Sequence, residues 1–186
     1  MKIRATPNTG VVVKVEEGES ELPLMNPAPL KLRKILVPVD FSECSRKALH
    51  YATALAKQCQ AEILLLHVLE MPPIPVQAFE TAFLEAPAEE SVEKELSEWQ
   101  AQVGSTAPVK TLVCSGSASP EIVRTADENN MDLIVIGSHG RTGLARLLLG
   151  STAERVVRHA PCPVLVVRER EHDFVAPSEA TAFTKA

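Results

Sequence analysis

From residue 34 onward, short apolar runs alternate with longer segments in which apolar side chains recur at helical spacing. Short aliphatic runs bounded by turn signals are typical of buried parallel strands, and a spacing of three or four residues is typical of one helix face. The pattern predicts strands at Ile35–Val39, Ile63–Leu69, Val109–Cys114, Leu133–Ile136 and Pro163–Val167. With a helix after each of the first four strands, the order favours an α/β fold, an open five-stranded parallel sheet with helices on both faces.

Local signals predict where the helices begin. Ser42 precedes the first helix, which we expect to end near Cys59, and Ser119 precedes the third helix, with Pro120 at its first position. A serine hydroxyl caps a helix by accepting a bond from an otherwise unpaired N–H, and proline suits the first turn. The second helix is predicted from one apolar face formed by Val92, Leu96, Trp99 and Val103.

The segment between the fourth strand and the fourth helix is rich in glycine and contains no Asp or Glu from residue 133 to residue 153. Ser151 and Thr152 are candidate N-caps for a helix that begins near Ala153. Unpaired N–H groups and the helix dipole favour an anion there, and glycine permits a positive φ and a close approach of a ligand. The glycines and arginines of the segment are Gly137, Gly140, Gly143, Gly150, Arg141 and Arg146.

This composition predicts a phosphate-binding loop; the alternative is that the glycines only form a turn. The sequence of this segment matches neither the G-x-x-x-x-G-K-[ST] phosphate-binding motif nor the G-x-G-x-x-G dinucleotide-binding motif. Asp40 ends the first predicted strand, as Gly137 ends the fourth. In open parallel sheets, ligands bind beyond the carboxyl ends of strands where the winding reverses, so neighbouring first and fourth strands would place a carboxylate beside the loop.

Three of the candidate residues have simpler interpretations. Asp40 could cap the helix that follows it, and His139 could be an exposed loop residue. His67 lies within an apolar strand, where a hydrogen-bonded core histidine is the more common role than a ligand-binding one.

Composition and charge narrow the class of protein. The 186 residues fit one domain with tails, and 45% hydrophobic residues with only 4% aromatic ones predict an aliphatic core. A net charge of −5 argues against a nucleic-acid binder and against binding to an anionic membrane. Four cysteines without a C-x-x-C pair predict buried free thiols and, with no secretory signal or membrane-spanning run, a cytoplasmic protein.

The ends of the chain differ from its middle. Residues 1–32 are predicted to be a largely irregular extension, with Val11–Val15 as one added edge strand, and residues 169–186 a tail without periodicity. The proline-rich segment 71–87 predicts a long loop, either a lid or an insert. Residues 33–168 form the predicted domain.

Three segments of that domain together resemble the universal stress protein family. Gly137-x-x-Gly140, nine residues and Gly150-Ser151 match its G-2x-G-9x-G-[ST] pattern, and KILVPVDFSECSRKAL and LLLHVLE are similar to its first two strands. The resemblance covers about residues 33–168. It implies a Rossmann-like fold of the adenine nucleotide α-hydrolase type, with strand order 3-2-1-4-5, which puts the first and fourth strands side by side.

The resemblance also implies ATP or AMP in the crevice between those two strands. Pro38, Val39 and Asp40 would line the adenosine end, with Asp40 approaching the ribose hydroxyls or a bound Mg²⁺, and Val68 would meet the adenine edge through its backbone. Arg141 would either neutralise phosphate charge or only solvate the loop. The phosphates would be held by Gly137, His139, Gly140, Gly150, Ser151 and Thr152.

The implied function is a nucleotide-dependent stress-response and signalling module that forms a homodimer through its C-terminal strand, PCPVLVVR. The alternative is a slow ATPase or another nucleotide-transforming enzyme that uses the same pocket. The loop after the first strand, Val39-Asp40-Phe41-Ser42, lacks the H-x-G-H pair of a nucleotidyl transferase, and no residue is evidently placed as a general base. The sequence therefore favours a binding module over an enzyme.

Overall fold

The computed structural model describes residues 2–5, 11–14, 31–70, 89–140 and 149–168, which contain seven strands and four helices. The strands are Lys2–Ala5 (β1), Val11–Lys14 (β2), Lys34–Pro38 (β3), Glu62–Leu69 (β4), Val109–Ser115 (β5), Leu133–Gly137 (β6) and Val164–Val167 (β7). The helices are Glu43–Cys59 (α1), Glu89–Val103 (α2), Ala118–Glu128 (α3) and Ser151–His159 (α4).

Strands β3 to β7 form one parallel sheet in the order β5-β4-β3-β6-β7. The central strand β3 pairs Ile35 with Ile63 of β4 on one side and Leu36 with Ile134 of β6 on the other. In terms of the five predicted strands this order is 3-2-1-4-5, so the fold and strand order implied by the resemblance are confirmed. The carboxyl ends of β3 and β6 therefore lie side by side.

Helices cover both faces of this sheet, because alternate side chains of each strand point to opposite faces. Ile35 and Val37 pack with buried side chains of α1 and α2, whereas Leu36 packs with those of α3 and α4. Both cores are mainly aliphatic, as predicted. The predicted apolar face of α2 is buried at all four positions, Val92, Leu96, Trp99 and Val103.

The chain divides into two units after Leu30, and in the first unit the structure describes β1 and β2. Within it, β2 pairs with β1 in an antiparallel two-stranded sheet, with Lys2 opposite Lys14. The prediction of one added edge strand was wrong, because the valine-rich segment finds an antiparallel partner close by in the sequence, which needs only a short connection.

The predicted helix starts were right for α1 and wrong for α3. Ser42 is the N-cap of α1 and its hydroxyl accepts from the Ser45 N–H at 3.2 Å. Helix α3 begins at Ala118, so Ser119 lies within its first turn. The Ala118 N–H donates to the Glu70 carboxylate at 2.9 Å, which means that a side chain from the end of β4 caps this helix instead of a local hydroxyl.

All four cysteines are free, but only Cys44 is buried, whereas Cys59, Cys114 and Cys162 are half-buried. Desolvation is the main cause that raises the pKa of the Cys114 and Cys162 thiols, and the charge of Glu121 adds to it at Cys114.

In the described part of the chain, no helix is long and apolar enough to cross a membrane. The proline-rich segment 71–87 and the C-terminal tail from residue 169 lie outside the described residues.

Candidate functional site

The carboxyl ends of β3 and β6 lie next to each other at one edge of the sheet. Ligands bind beyond such strand ends in open parallel sheets, and we call the space beyond these two ends the crevice. The chain leaves β3 through Val39 and Asp40, and it leaves β6 through the loop that contains Gly140. A Cβ atom built on Gly140 would lie 2.5 Å from Asp40 Oδ2. The structure thus brings the carboxylate and the glycine loop together across one crevice.

Asp40 is half-buried and its carboxylate is oriented by the start of α1. Its Oδ1 accepts from the Ser42 hydroxyl at 2.6 Å and from the Ser42 N–H at 3.2 Å. Asp40 is therefore not the N-cap of α1; its carboxylate is hydrogen-bonded to Ser42, which is the N-cap. Because Oδ1 is turned to Ser42, Oδ2 is the oxygen that faces Gly140.

Ser138, which the sequence analysis did not single out, joins the walls of the crevice. It is 1% exposed. Its N–H donates to the Val167 carbonyl of β7 at 2.7 Å, and its carbonyl accepts from the Gly150 N–H at 2.8 Å. Its hydroxyl lies 3.0 Å from His139 Nδ1 and so orients that half-buried ring. Its position between Gly137 and His139 is the one feature of the sequence that could have marked Ser138 as a site residue. Its contacts are visible only in the folded structure.

Helix α4 begins at the crevice, and its N-cap is Gly150, which has no side chain to cap it. The prediction that Ser151 or Thr152 would cap it was wrong; both lie in the first turn. The Gly150 carbonyl accepts the first bond of the helix, from the Glu154 N–H at 2.9 Å. The N–H groups of the residues between them have no acceptor within the helix, which suits an anion.

The glycines of the loop are needed for space and not for a left-handed backbone. Among the described glycines, a positive φ occurs at Gly104 and Gly116 only. A Cβ on Gly137 would lie 3.0 Å from the backbone of Cys44 in α1, and one on Gly140 would collide with Asp40. The expectation of positive φ in the loop is therefore wrong for Gly137 and Gly140, and protein atoms, those of Cys44 and Asp40, approach these two glycines closely. Gly143, Arg141 and Arg146 lie outside the described residues.

Strand β4 continues beyond the end of β3 and exposes backbone groups to the crevice. The β3–β4 register ends at Pro38 opposite Leu66, and the Leu66 carbonyl accepts from the Val39 N–H at 2.8 Å. Residues two apart in a strand direct their backbone groups to the same side. The N–H and C=O of Val68 therefore face the side on which β3 has already ended.

His67 is a hydrogen-bonded core histidine, as predicted. It is 6% exposed, and its Nδ1 lies 2.8 Å from the Val39 carbonyl. Because a carbonyl can only accept, Nδ1 carries the proton in this bond. The ring also stacks on Phe41, with 4.6 Å between ring centroids.

Comparison with known proteins identifies the family. The family model described as the universal stress protein family matches residues 31–168. The chain belongs to this family. Universal stress protein MJ0531 of Methanocaldococcus jannaschii is 36% identical over 146 residues, which cover 74% of this chain and 82% of that protein. The solved structure of UspA from Lactobacillus plantarum has a TM-score of 0.69 at 30% identity, and the match covers 75% of this chain and all of that one.

In this universal stress protein, the residues that the resemblance assigned to a ligand lie at the same edge of the sheet. Pro38, Val39, Asp40 and Val68 come from the ends of β3 and β4, and the remaining described ones are Gly137, His139, Gly140, Gly150, Ser151 and Thr152. No group of three or more His, Cys, Asp or Glu that could hold a metal ion occurs in the described ranges.

Proposed function

We propose that this universal stress protein binds ATP or AMP in the crevice between β3 and β6 and acts as a nucleotide-dependent stress-response module. The observation that carries the proposal is the approach of Asp40 Oδ2 to Gly140 beside the N-terminus of α4, whose N-cap is Gly150. A carboxylate that can accept hydrogen bonds and the N–H groups at the start of α4 lie at the same edge of the sheet. A nucleotide offers the matching groups, namely ribose hydroxyls and phosphates.

The phosphates would lie against the glycine loop and the start of α4. The N–H groups of Ser151 and Thr152, with the positive end of the helix dipole, would bind phosphate oxygens. His139, held by Ser138 at the mouth of the crevice, would add a further contact. Arg141 stays a proposal from the sequence, because it lies outside the described residues.

The adenosine would lie over the ends of β3 and β4. Asp40 would accept hydrogen bonds from the ribose hydroxyls, and the Val68 backbone would pair with the edge of the base. Pro38 and Val39 are buried and would form the apolar floor. Two universal stress proteins with this fold, solved in complex with cAMP and with dAMP, share only 22% identity with this chain. That likeness supports the fold alone, so the ligand proposal rests on the crevice.

Mg²⁺ would enter together with the nucleotide. Proteins commonly hold this ion with one or two carboxylates and the substrate phosphates, and Asp40 is the carboxylate that faces the glycine loop. A bound ion would neutralise phosphate charge. Asp40 could thus serve the ion instead of the ribose, and a titration with and without Mg²⁺ separates these roles.

We also propose that β7 pairs with its counterpart in a homodimer. It is an edge strand of the sheet, and Val164, Leu165 and Val166 are half-buried in the single chain. The Pro163 carbonyl accepts from the Ile134 N–H of β6, and the Val167 carbonyl accepts from the Ser138 N–H just after β6. The backbone groups of Val164 and Val166 therefore point away from β6. Val166→Pro should remove an edge N–H and give a monomer in analytical ultracentrifugation, whereas a monomeric wild type would reject this pairing.

Isothermal titration calorimetry of the whole chain with ATP and AMP, in EDTA and in Mg²⁺, tests the nucleotide proposal. We expect a Kd in the micromolar range, about −8 kcal/mol. Absence of heat with both nucleotides under both conditions would reject it. Steady phosphate release from ATP that is lost in Asp40→Ala would instead favour the alternative, a slow ATPase.

A further inference from the structure

The turn that carries Asp40 contains a residue in an uncommon backbone conformation. Phe41, which follows Asp40 directly, has φ 65°, in the left-handed region that side chains other than those of Gly, Asn and Asp rarely adopt. Such residues persist only where their surroundings hold them, and they occur often at functional sites. The contacts of Phe41 therefore bear on the geometry of the carboxylate beside it.

The ring of Phe41 is held by two aromatic residues. It stacks on His67 at 4.6 Å with 25° between the ring planes, and it meets the edge of Trp99 at 5.5 Å and 80°. Trp99 is buried and is itself covered by the guanidinium of Arg46, 4.8 Å from its ring centroid. The backbone conformation of Phe41 is thus supported by a strand, β4, and a helix, α2.

Two consecutive residues of β4 hold both sides of Asp40. Before it, Val39 donates to the Leu66 carbonyl and accepts from His67 Nδ1, both at 2.8 Å. After it, the ring of Phe41 rests on the same His67. With Oδ1 bonded to Ser42, neither the backbone nor the carboxylate of Asp40 can turn without breaking one of these contacts.

Phe41 acts on the crevice from outside it. Its side chain packs against the core on the face covered by α1 and α2, whereas the glycine loop leads into α4, which packs on the opposite face. The ring is therefore placed to hold the turn and not to stack on a bound base.

We infer that Phe41, through its stack on His67, is a positioning residue that aims the Asp40 carboxylate at the ribose hydroxyls and so makes binding depend on an intact ribose. This inference rests on the proposed nucleotide site. It predicts that loss of the stack weakens recognition of the hydroxyls and leaves phosphate binding in place, because Phe41 packs with the core under α1 and α2, whereas α4 packs with the core on the opposite face.

The test is the ratio of the Kd values for 2′,3′-dideoxy-ATP and ATP, measured by calorimetry on the whole chain in EDTA. In the wild type we expect ATP to bind about tenfold tighter, which corresponds to about 1.4 kcal/mol. In Phe41→Leu the ratio should fall to near one, with the Kd for the dideoxy analogue changed by no more than about twofold. The matched control is His50→Leu, since His50 makes a ring contact with Tyr51, 6.4 Å between centroids, that does not involve the Asp40 turn; its ratio should equal that of the wild type.

Three results would overturn the inference, and each differs from the others. If both Kd values rise equally in Phe41→Leu, the ring has only a structural role. If the wild type binds both nucleotides equally well, Asp40 does not recognise the ribose hydroxyls, although the proposal of a nucleotide site is retained. If the wild type binds neither, the proposed function fails and the inference with it. If Phe41→Leu does not fold, His67→Gln takes its place, because glutamine keeps a donor for the Val39 carbonyl and removes the stacked ring. This variant should also bring the ratio of the two Kd values to near one. An unchanged ratio in His67→Gln would reject the role of the Phe41–His67 stack.

Discussion

Asp40 Oδ2 lies 2.5 Å from the position that a side-chain carbon on Gly140 would occupy, although the two residues are one hundred positions apart in the sequence. This approach exists because β3 and β6 are neighbours in the sheet. Any residue larger than glycine at position 140 must displace the carboxylate.

Gly140→Val should abolish nucleotide binding, because its side chain would occupy the space between the loop and Asp40. Calorimetry with ATP measures this loss. The matched control is Gly104→Ala: Gly104 has φ 58°, and a Cβ there would meet only the Ala101 carbonyl, at 3.8 Å. The control should lower the free energy of unfolding by about 1 kcal/mol through backbone strain without a change in affinity. Equal affinity in Gly140→Val and wild type would reject the assigned crevice.

Asp40→Asn should weaken ATP binding by about tenfold to a hundredfold, in line with about 1.5–3 kcal/mol for hydrogen bonds to a charged group. The amide oxygen of asparagine can still accept from Ser42, so the start of α1 should be retained. The Tm of the variant should therefore stay close to that of the wild type in a thermal melt. An unchanged Kd would show that the carboxylate does not contact the ligand.

Ser138→Ala removes the hydroxyl that lies 3.0 Å from His139 Nδ1. We expect a loss of about 1 kcal/mol in the free energy of unfolding and a several-fold weaker affinity for ATP, because the His139 ring loses a contact that orients it. Ser97→Ala is the control, since the Ser97 hydroxyl donates to the Glu93 carbonyl on the exposed side of α2 at 2.8 Å. A variant with wild-type affinity would show that His139 is not part of the phosphate site.

The half-buried thiols predict a loss of stability at alkaline pH. Burial raises the pKa of Cys114 and Cys162 above the ordinary value of 9.0, so the unfolded chain loses these protons first as the pH rises. Their contribution to stability is complete below pH 9 and is lost as the pH rises through the folded-state pKa. Urea denaturation at pH 7.5 and pH 10 measures this change, and the double variant Cys114→Ala and Cys162→Ala should show a smaller decrease. An equal decrease in both proteins would assign the effect to other groups.

Much of the fold follows from local pattern. Alternating apolar runs placed the five strands of the parallel sheet to within one or two residues, and Ser42 was correctly predicted as the cap of α1. His67 was correctly predicted to be a core residue because a histidine between leucines and valine in a buried strand must find a nearby acceptor. These features depend on neighbours along the chain, which the sequence displays directly.

The errors at the starts of α3 and α4 concern partners that are distant in sequence. The first N–H of α3, that of Ala118, donates to Glu70, 48 positions earlier, and the N-cap of α4 is Gly150, whose N–H bonds to the carbonyl of Ser138. A serine near the start of these two helices was therefore a misleading signal. The same reason explains why Ser138 and Phe41 escaped notice, since their roles depend on Val167 and His67.

The sequence by itself determined the order of strands and helices along the chain, and it displays the glycine loop and Asp40 of the proposed nucleotide site, because propensity, periodicity and turn chemistry act over a few residues. The strand order and the membership of the family came from its resemblance to known proteins. Only the tertiary structure decided that Asp40 faces Gly140, that Gly150 is the N-cap of α4, and that Phe41 rests on His67. These are contacts between separate strands and helices, and their distances are set by how the helices and loops pack at the edge of the sheet.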